Sequence, residues 1–255
     1  MPNRRNSELP PYDYWHEARR PLACLVFVTP FLVFYEVGVL LLGPQAVRNA
    51  ADVWLRALLD LLGFGPYFLL PVLTCAVLLG WNYTAQQPWR VRSSVLYGMF
   101  LESLLFGFLL LLIAGWQYSL LRSLLPLSAG ETGPAASLVA VMVGYVGAGI
   151  YEELLFRLLL LPAVIGCYRL IGMSPRLSLV AAIITTSLLF SAAHYQFELV
   201  LMGNSFHAAW GEPFDWASFV FRFLAGLMFS LLFLYRGFGI AVGSHALYDL
   251  FTLLS

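Results

Sequence analysis

Seven apolar stretches of near-membrane length divide this chain, at residues 21–43, 66–83, 94–121, 136–168, 177–201, 217–235 and 238–254. A hydrocarbon core of about 30 Å needs roughly 20 apolar residues to cross it as a helix. With 60% of residues hydrophobic and only 11% charged, the chain lies outside ordinary soluble composition. The expected fold is all-α, a polytopic transmembrane bundle of about seven spans. The fourth window is too long for one crossing without tilt or a break, and Gly144, Gly147 and Gly149 within it allow close helix approach or a kink.

Between the first two windows, in "NAADVWLRALLDLLGFG", Val53, Leu55, Leu58, Leu59 and Leu62 interleave with Asp52, Arg56 and Asp60 at helical spacing. This segment reads as a short amphipathic helix lying in the interface. Arginine placement sets the orientation, because cytoplasmic loops carry the excess of positive charge. With the N-terminus inside, one side receives Arg4, Arg5, Arg19, Arg20, Arg90, Arg92, Arg169, Arg176 and Arg236, and the other only Arg48, Arg56 and Arg122. A cytoplasmic N-terminus follows. Size and the lack of a retention signal point to a bacterial inner membrane.

The formal net charge is zero, so nothing suggests nucleic acid as a partner; the bilayer is the expected surroundings. Cys24, Cys75 and Cys167 form no CxxC pair and read as small core residues. The polar, Pro-containing stretch before Pro21 does not resemble a cleavable signal peptide, so the first span is expected in the mature protein. No internal repeat or linker divides the chain, and residues 1–255 are expected to form one membrane-embedded domain.

Ionisable groups within spans cost about 2.5–3.5 kcal/mol each at the centre on insertion scales, so they mark pathways or sites. Here they are Glu36, Glu102, Glu152, Glu153, Arg157, His194, Arg222, His245 and Asp249. Arg222, close to its helix start, reads as snorkelling to the interface. Glu36 and Glu102 each sit alone in an apolar helix and suit a bond across to another helix. His16 and His207 read as solvated or loop residues, and Trp210, Phe214 and Trp216 as an interfacial segment.

The other groups share one geometry. In "EELLFR", Glu153 and Arg157 are four apart and can pair on one helix face, leaving Glu152 pointing about 100° away. Phe190 and His194 in "FSAAH", and His245 and Asp249 in "HALYD", are also four apart. The helices after residue 150 can thus present a carboxylate, two imidazoles and a second acidic side chain to one cavity. Two uses remain open on chemistry alone. Glu152 can act as a general base on water, with His194, His245 or Asp249 stabilising an oxyanion, or Glu152, His194 and His245 can bind zinc, although HExxH is missing.

At these residues the chain resembles the CAAX protease and bacteriocin-processing (CPBP) family of intramembrane proteases, which includes the Ras-converting CAAX endopeptidases. The family motifs EExxxR, FxxxH and HxxxN or HxxxD stand here as Glu152 to Arg157, Phe190 to His194 and His245 to Asp249, each in an apolar helix and in that order. The resemblance covers the C-terminal half. It implies an endopeptidase acting on a membrane-anchored or lipid-modified protein or peptide, with Glu152 activating water, His194, His245 and Asp249 catalytic, and Glu153, Arg157 and Phe190 shaping the site. It implies a glutamic-type mechanism with no cofactor, the zinc-dependent version being the alternative. A non-catalytic immunity or scaffold protein, and an ion-coupled transporter, are the rivals from other classes; the transporter would predict an inverted repeat that the sequence lacks.

Overall fold

A computed structural model describes residues 13–46, 48–61, 63, 69–124, 137–201, 204–208 and 211–254. A one-turn helix α1 (Tyr14–Glu17), capped by the Asp13 carboxylate, leads into α2 (Pro21–Leu42), which opens on the proline favoured in a first turn. There follow α3 (Ala50–Leu61), α4 (Leu69–Thr84), α5 (Ser93–Leu124), α6 (Leu138–Glu153), a π-helical segment (Leu154–Leu160), α7 (Leu161–Leu170), α8 (Pro175–Ala192), α9 (Trp216–Arg236) and α10 (Phe238–Thr252). Every apolar window therefore holds helix. By length and composition, the helices at Pro21–Gln45, Ser93–Leu120, Pro175–Ala192 and Trp216–Arg236 are long and apolar enough to cross a membrane.

The long fourth window runs from Leu138 to Leu170 with its π turns directly after the glutamate pair. Pro162 stands two residues beyond those turns, at the start of α7. A proline ring crowds the carbonyl four residues back and offers no N–H, so the helix accommodates Pro162 by widening before it. The kink foreseen at the glycines is not what they provide. A side chain on Gly147 would strike the Tyr35 ring, and one on Gly149 would lie 2.7 Å from the backbone nitrogen of Ala246, so both serve close approach.

Helix α10 is the centre of the bundle. It packs on α5, α6, α9 and α2, and its residues Phe238 to Ala246 are all buried. Small residues make this possible. Gly239 and Gly243 of α10 lie against Met99, Ser103 and α2, while Gly107 of α5 lies against the backbone of Ser244 and Tyr248. Gly237, at φ +92°, forms the whole connection between α9 and α10 and packs against Arg19 and Cys24. A side chain would be strained by that φ and crowded by those neighbours.

Four readings of the sequence change. The window 177–201 is helical only to Ala192; residues Phe197–Leu201 and Asn204–Ala208 pair as an antiparallel hairpin. Hydropathy cannot separate a short apolar strand from the end of an apolar helix, and here the strands satisfy each other's backbone groups. His207 sits in the second of them, opposite Glu198, while Trp210 lies outside the described residues. Helix α3 exists, but two of its charged residues point inward beside Leu55 and Leu59: Asp52 is buried, and Arg56 binds it at 2.8 Å and reaches Glu36 of α2 at 3.4 Å, while Leu58 and Asp60 are exposed. Arg236, read as a loop residue, is buried with Glu102, which it binds through Nε and through Nη2 at 2.8 Å. Of the three cysteines, only Cys24 is buried; Cys167 is exposed. In an apolar solvent, neither a cysteine nor a leucine must turn inward.

Candidate active site

The three sequence motifs meet in one place. Glu152 and Glu153 end α6, Arg157 lies in the π turns, His194 follows α8, and His245 and Asp249 lie on α10. Glu153, fully buried, accepts from Arg157 Nη1 at 3.1 Å and faces His245 Nδ1 at 2.8 Å through the same oxygen, Oε1. Arg157 also donates to the Gly226 carbonyl at 3.2 Å, and its guanidinium lies 4.2 Å from the centre of the Phe190 ring. A buried ion pair offsets its desolvation only when further hydrogen bonds complete it. The α9 carbonyl, the imidazole and the aromatic face supply part of that completion, while Glu153 Oε2 and Arg157 Nε are buried with no protein hydrogen-bond partner among the described residues.

Glu152 faces the other way. Its Oε2 lies 3.5 Å from His194 Nε2 and 3.9 Å from His245 Nε2. The far nitrogen of each ring is already committed. His194 Nδ1 is 2.8 Å from the Phe190 carbonyl, which only accepts, so that nitrogen carries the hydrogen. His245 Nδ1 is held in the same way by Glu153. Both Nε2 atoms are therefore turned toward Glu152. Asp249 Oδ2 lies 3.6 Å from His245 Nε2. Glu152 Oε2 is buried and has no protein hydrogen-bond partner among the described residues. Such an atom in a native site calls for an explanation.

Aromatic rings fix the imidazoles. Phe229 of α9 stacks on His245 with centroids 4.5 Å apart and planes 13° from parallel, and Phe190 meets His194 and His245 edge-on at 5.0 and 5.9 Å. His194 itself lies two residues beyond the helix expected to carry it. The chain leaves α8 there because Glu212 N donates to the His194 carbonyl at 2.9 Å and Gln196 N to the Glu212 carbonyl at 3.0 Å. Gly211, at φ +113°, makes this crossing possible. A side chain on it would fall 2.6 Å from the His194 carbonyl oxygen.

Two cavities meet at the cluster. One of about 470 Å³ extends along α6, α9 and α10 and includes Glu152, His194, His245 and Asp249. A second of about 250 Å³ lies against α3, walled by Ala50, Trp54 and Phe156, and also includes Glu152 and His194. An extended peptide can thus pass the Glu152 carboxylate between a polar pocket and a more apolar one. Arg222 lines the larger cavity rather than simply snorkelling, bound to Glu212 at 2.9 Å and to Ser218 Oγ at 2.7 Å. Among the described residues no group of three or more His, Cys, Asp or Glu is arranged to hold a metal ion.

Several site residues carry no signal in the sequence. Phe229 is one phenylalanine among many in an apolar helix, Gly226 contributes only its backbone, and Gly211 and Glu212 lie in a stretch that reads as loop. Only the positive φ demanded by a tight crossing marks Gly211, and that is visible in coordinates alone.

Residues 134–251 match the family model described as Rce1-like, type II CAAX prenyl endopeptidase. No curated protein and no solved structure matches the chain. The matched segment begins just before α6 and contains all three motifs, most of the wall of the larger cavity and α10 almost to its end, while α3 walls the smaller cavity from outside it. Over residues 134–251 the chain is similar to the Rce1-like, type II CAAX prenyl endopeptidase family, a likeness that supports an intramembrane endopeptidase.

Proposed function

We propose that this endopeptidase is of the glutamic type and that Glu152 is its general base. The observation that carries the reading is the orphaned Glu152 Oε2 facing two Nε2 atoms whose opposite nitrogens are already engaged. The attacking water is placed, on this reading, on the cavity side of these three atoms. Glu152 takes its proton, the resulting hydroxide attacks the scissile carbonyl, and the protonated Glu152 passes that proton to the leaving amide nitrogen. His194 and His245, donating through Nε2 when protonated, hold the oxyanion, and Asp249 orients His245. Glu153, Arg157 and Phe190 position rather than react.

The substrate is a membrane-anchored protein or peptide whose chain lies extended across the two cavities. The N-terminal helices belong to the same catalytic unit, because α10, which carries His245, rests on α5 and α2. The location proposed is a bacterial inner membrane with the N-terminus cytoplasmic. The test is cleavage of a membrane-anchored peptide reporter by the purified protein in detergent or liposomes. Glu152→Ala is expected to abolish cleavage while leaving insertion and folded yield unchanged, and retained cleavage removes Glu152 from the role of base.

A further inference from the structure

The two ends of the bundle differ both in charge and in access. Helices α8 and α9 run antiparallel, with Ser191 Oγ donating to the Phe219 carbonyl at 2.7 Å and Ser187 packed on Gly226. Arg176 at the start of α8 therefore shares an end with Arg236 at the close of α9. Arg19 joins this end by donating to the Leu234 carbonyl at 3.0 Å, and the α4–α5 connection joins it through Asn82, which accepts from Leu22 N at 3.3 Å. Seven described arginines gather here, at the α1–α2, α4–α5 and α7–α8 connections and at Arg236. Arg48, Arg56, Arg122 and Arg222 belong to the opposite end. Arginine and lysine near span ends mark the cytoplasmic side, so the arginine-rich end is the cytoplasmic one.

The catalytic cavity runs the other way. Beyond Glu152 and His245 its walls are Tyr145 and Ala148 of α6, Ser218 and Arg222 of α9, and Tyr248 and Thr252 of α10. Tyr145 and Ala148 precede Glu152 on a helix that runs toward the arginine-rich end, Tyr248 and Thr252 follow His245 on one that runs away from it, and Ser218 and Arg222 stand in the first turns of α9, at the end opposite Arg236. The α9 residues show the scale, since Arg222 and Arg236 are 14 residues, or roughly 21 Å, apart along the helix. Toward the cytoplasmic end the path is filled. Residues Phe238 to Ala246 of α10 are buried without exception, and Arg157 occupies the space between Glu153 and Gly226. A separate cavity at the arginine-rich end, lined by Arg19, Arg20, Trp81 and Gln87, touches none of the motif residues.

We infer that the catalytic cavity opens on the extracytoplasmic face, and that the substrate is a peptide or anchored protein whose scissile bond has already been carried to that side of the membrane. This rests on the protease reading of the same site. A cytoplasmic tail meets a closed floor, whereas a translocated or outward-facing segment reaches Glu152 through the open end.

Single-cysteine variants of the full chain, made after replacing Cys24, Cys75 and Cys167 by serine, test the orientation in intact bacterial cells. With a membrane-impermeant maleimide, Leu254→Cys at the cavity end is expected to label without lysis. Ala85→Cys at the other end is expected to label only after permeabilisation. The reverse pattern overturns the inference. Two reporters that carry one cleavage sequence on opposite faces of the membrane then test the substrate, with Glu152→Ala as control. Cleavage confined to the outward-facing reporter supports the inference, and Glu152-dependent cleavage of the inward-facing one overturns it. Should neither be cut while labelling is as expected, the opening stands as inferred, and it is the protease reading that fails.

Discussion

His245 gives its Nδ1 to Glu153, at 2.8 Å, and keeps its Nε2 for Glu152. Two adjacent glutamates of one helix thereby take opposite parts. Glu153 gives its Oε1 to an arginine and an imidazole inside the packed helices, whereas Glu152 presents its Oε2 at a cavity wall. The distinction follows from helix geometry, since neighbours along an α-helix point about 100° apart.

Glu152→Gln keeps the size of the side chain and removes the base. Cleavage of an anchored reporter is expected to fall by about 10²–10⁴-fold, the usual range for loss of a positioned general base. The thermal unfolding midpoint in detergent should remain that of the parent. A rate within threefold of the parent would transfer the base role elsewhere.

Glu153→Ala and Arg157→Ala each leave a buried charge without its partner. The expected cost is about 3–5 kcal/mol of stability, read as lower folded yield and earlier unfolding. Glu153→Gln combined with Arg157→Met removes both charges and should recover much of the folded yield. It should not recover activity, because His245 loses the carboxylate that fixes its ring. If neither alanine variant lowers yield, the pair is not structural.

Asp249→Asn tests how the last motif residue acts. The side chain faces His245 Nε2 at 3.6 Å, and an amide retains an oxygen to accept from that nitrogen. Activity within about tenfold of the parent is expected for Asn, and a larger loss for Ala. Equal and severe losses in both would mean that the charge itself is required.

Gly149→Val places a branched side chain where a Cβ alone would sit 2.7 Å from Ala246 N. Overpacking of this kind costs about 1–3 kcal/mol, and here it also separates α6 from α10. Reduced activity together with reduced stability is expected, measured by cleavage and by unfolding on the same preparation. Full activity in the variant would show that the site tolerates a wider helix spacing.

A strong chelator should leave the cleavage rate unchanged if water is activated by Glu152 alone. Loss of activity in the chelator, restored by added zinc, would reassign the mechanism to metal-assisted hydrolysis through Glu152, His194 and His245.

The helices were legible because the membrane imposes one strong rule, an apolar run of sufficient length; each of the seven windows holds helix, and four of those helices are long and apolar enough to cross a membrane. What the rule leaves silent is direction within the bundle. A leucine may face lipid or protein at equal cost, so nothing in the sequence placed Asp52 and Arg56 inward, exposed Cys167, or put α10 at the centre. The motif spacings fixed which residues share a helix face and so brought Glu153 to Arg157. They could not show that Glu153 also anchors His245, a contact across 92 residues of chain. The end of α8 was lost for a different reason: backbone pairing between His194, Gln196 and Glu212 decides it, and hydropathy does not register hydrogen bonds.

Helix α10 follows in the chain every helix it rests on. During synthesis those helices enter the membrane first and surround a vacant slot, because no earlier segment supplies His245 or its stacking partner for Phe229. On the proposed mechanism, a chain translated only as far as α9 lacks its second imidazole, and cleavage waits on the last described helix taking its place between α5 and α6.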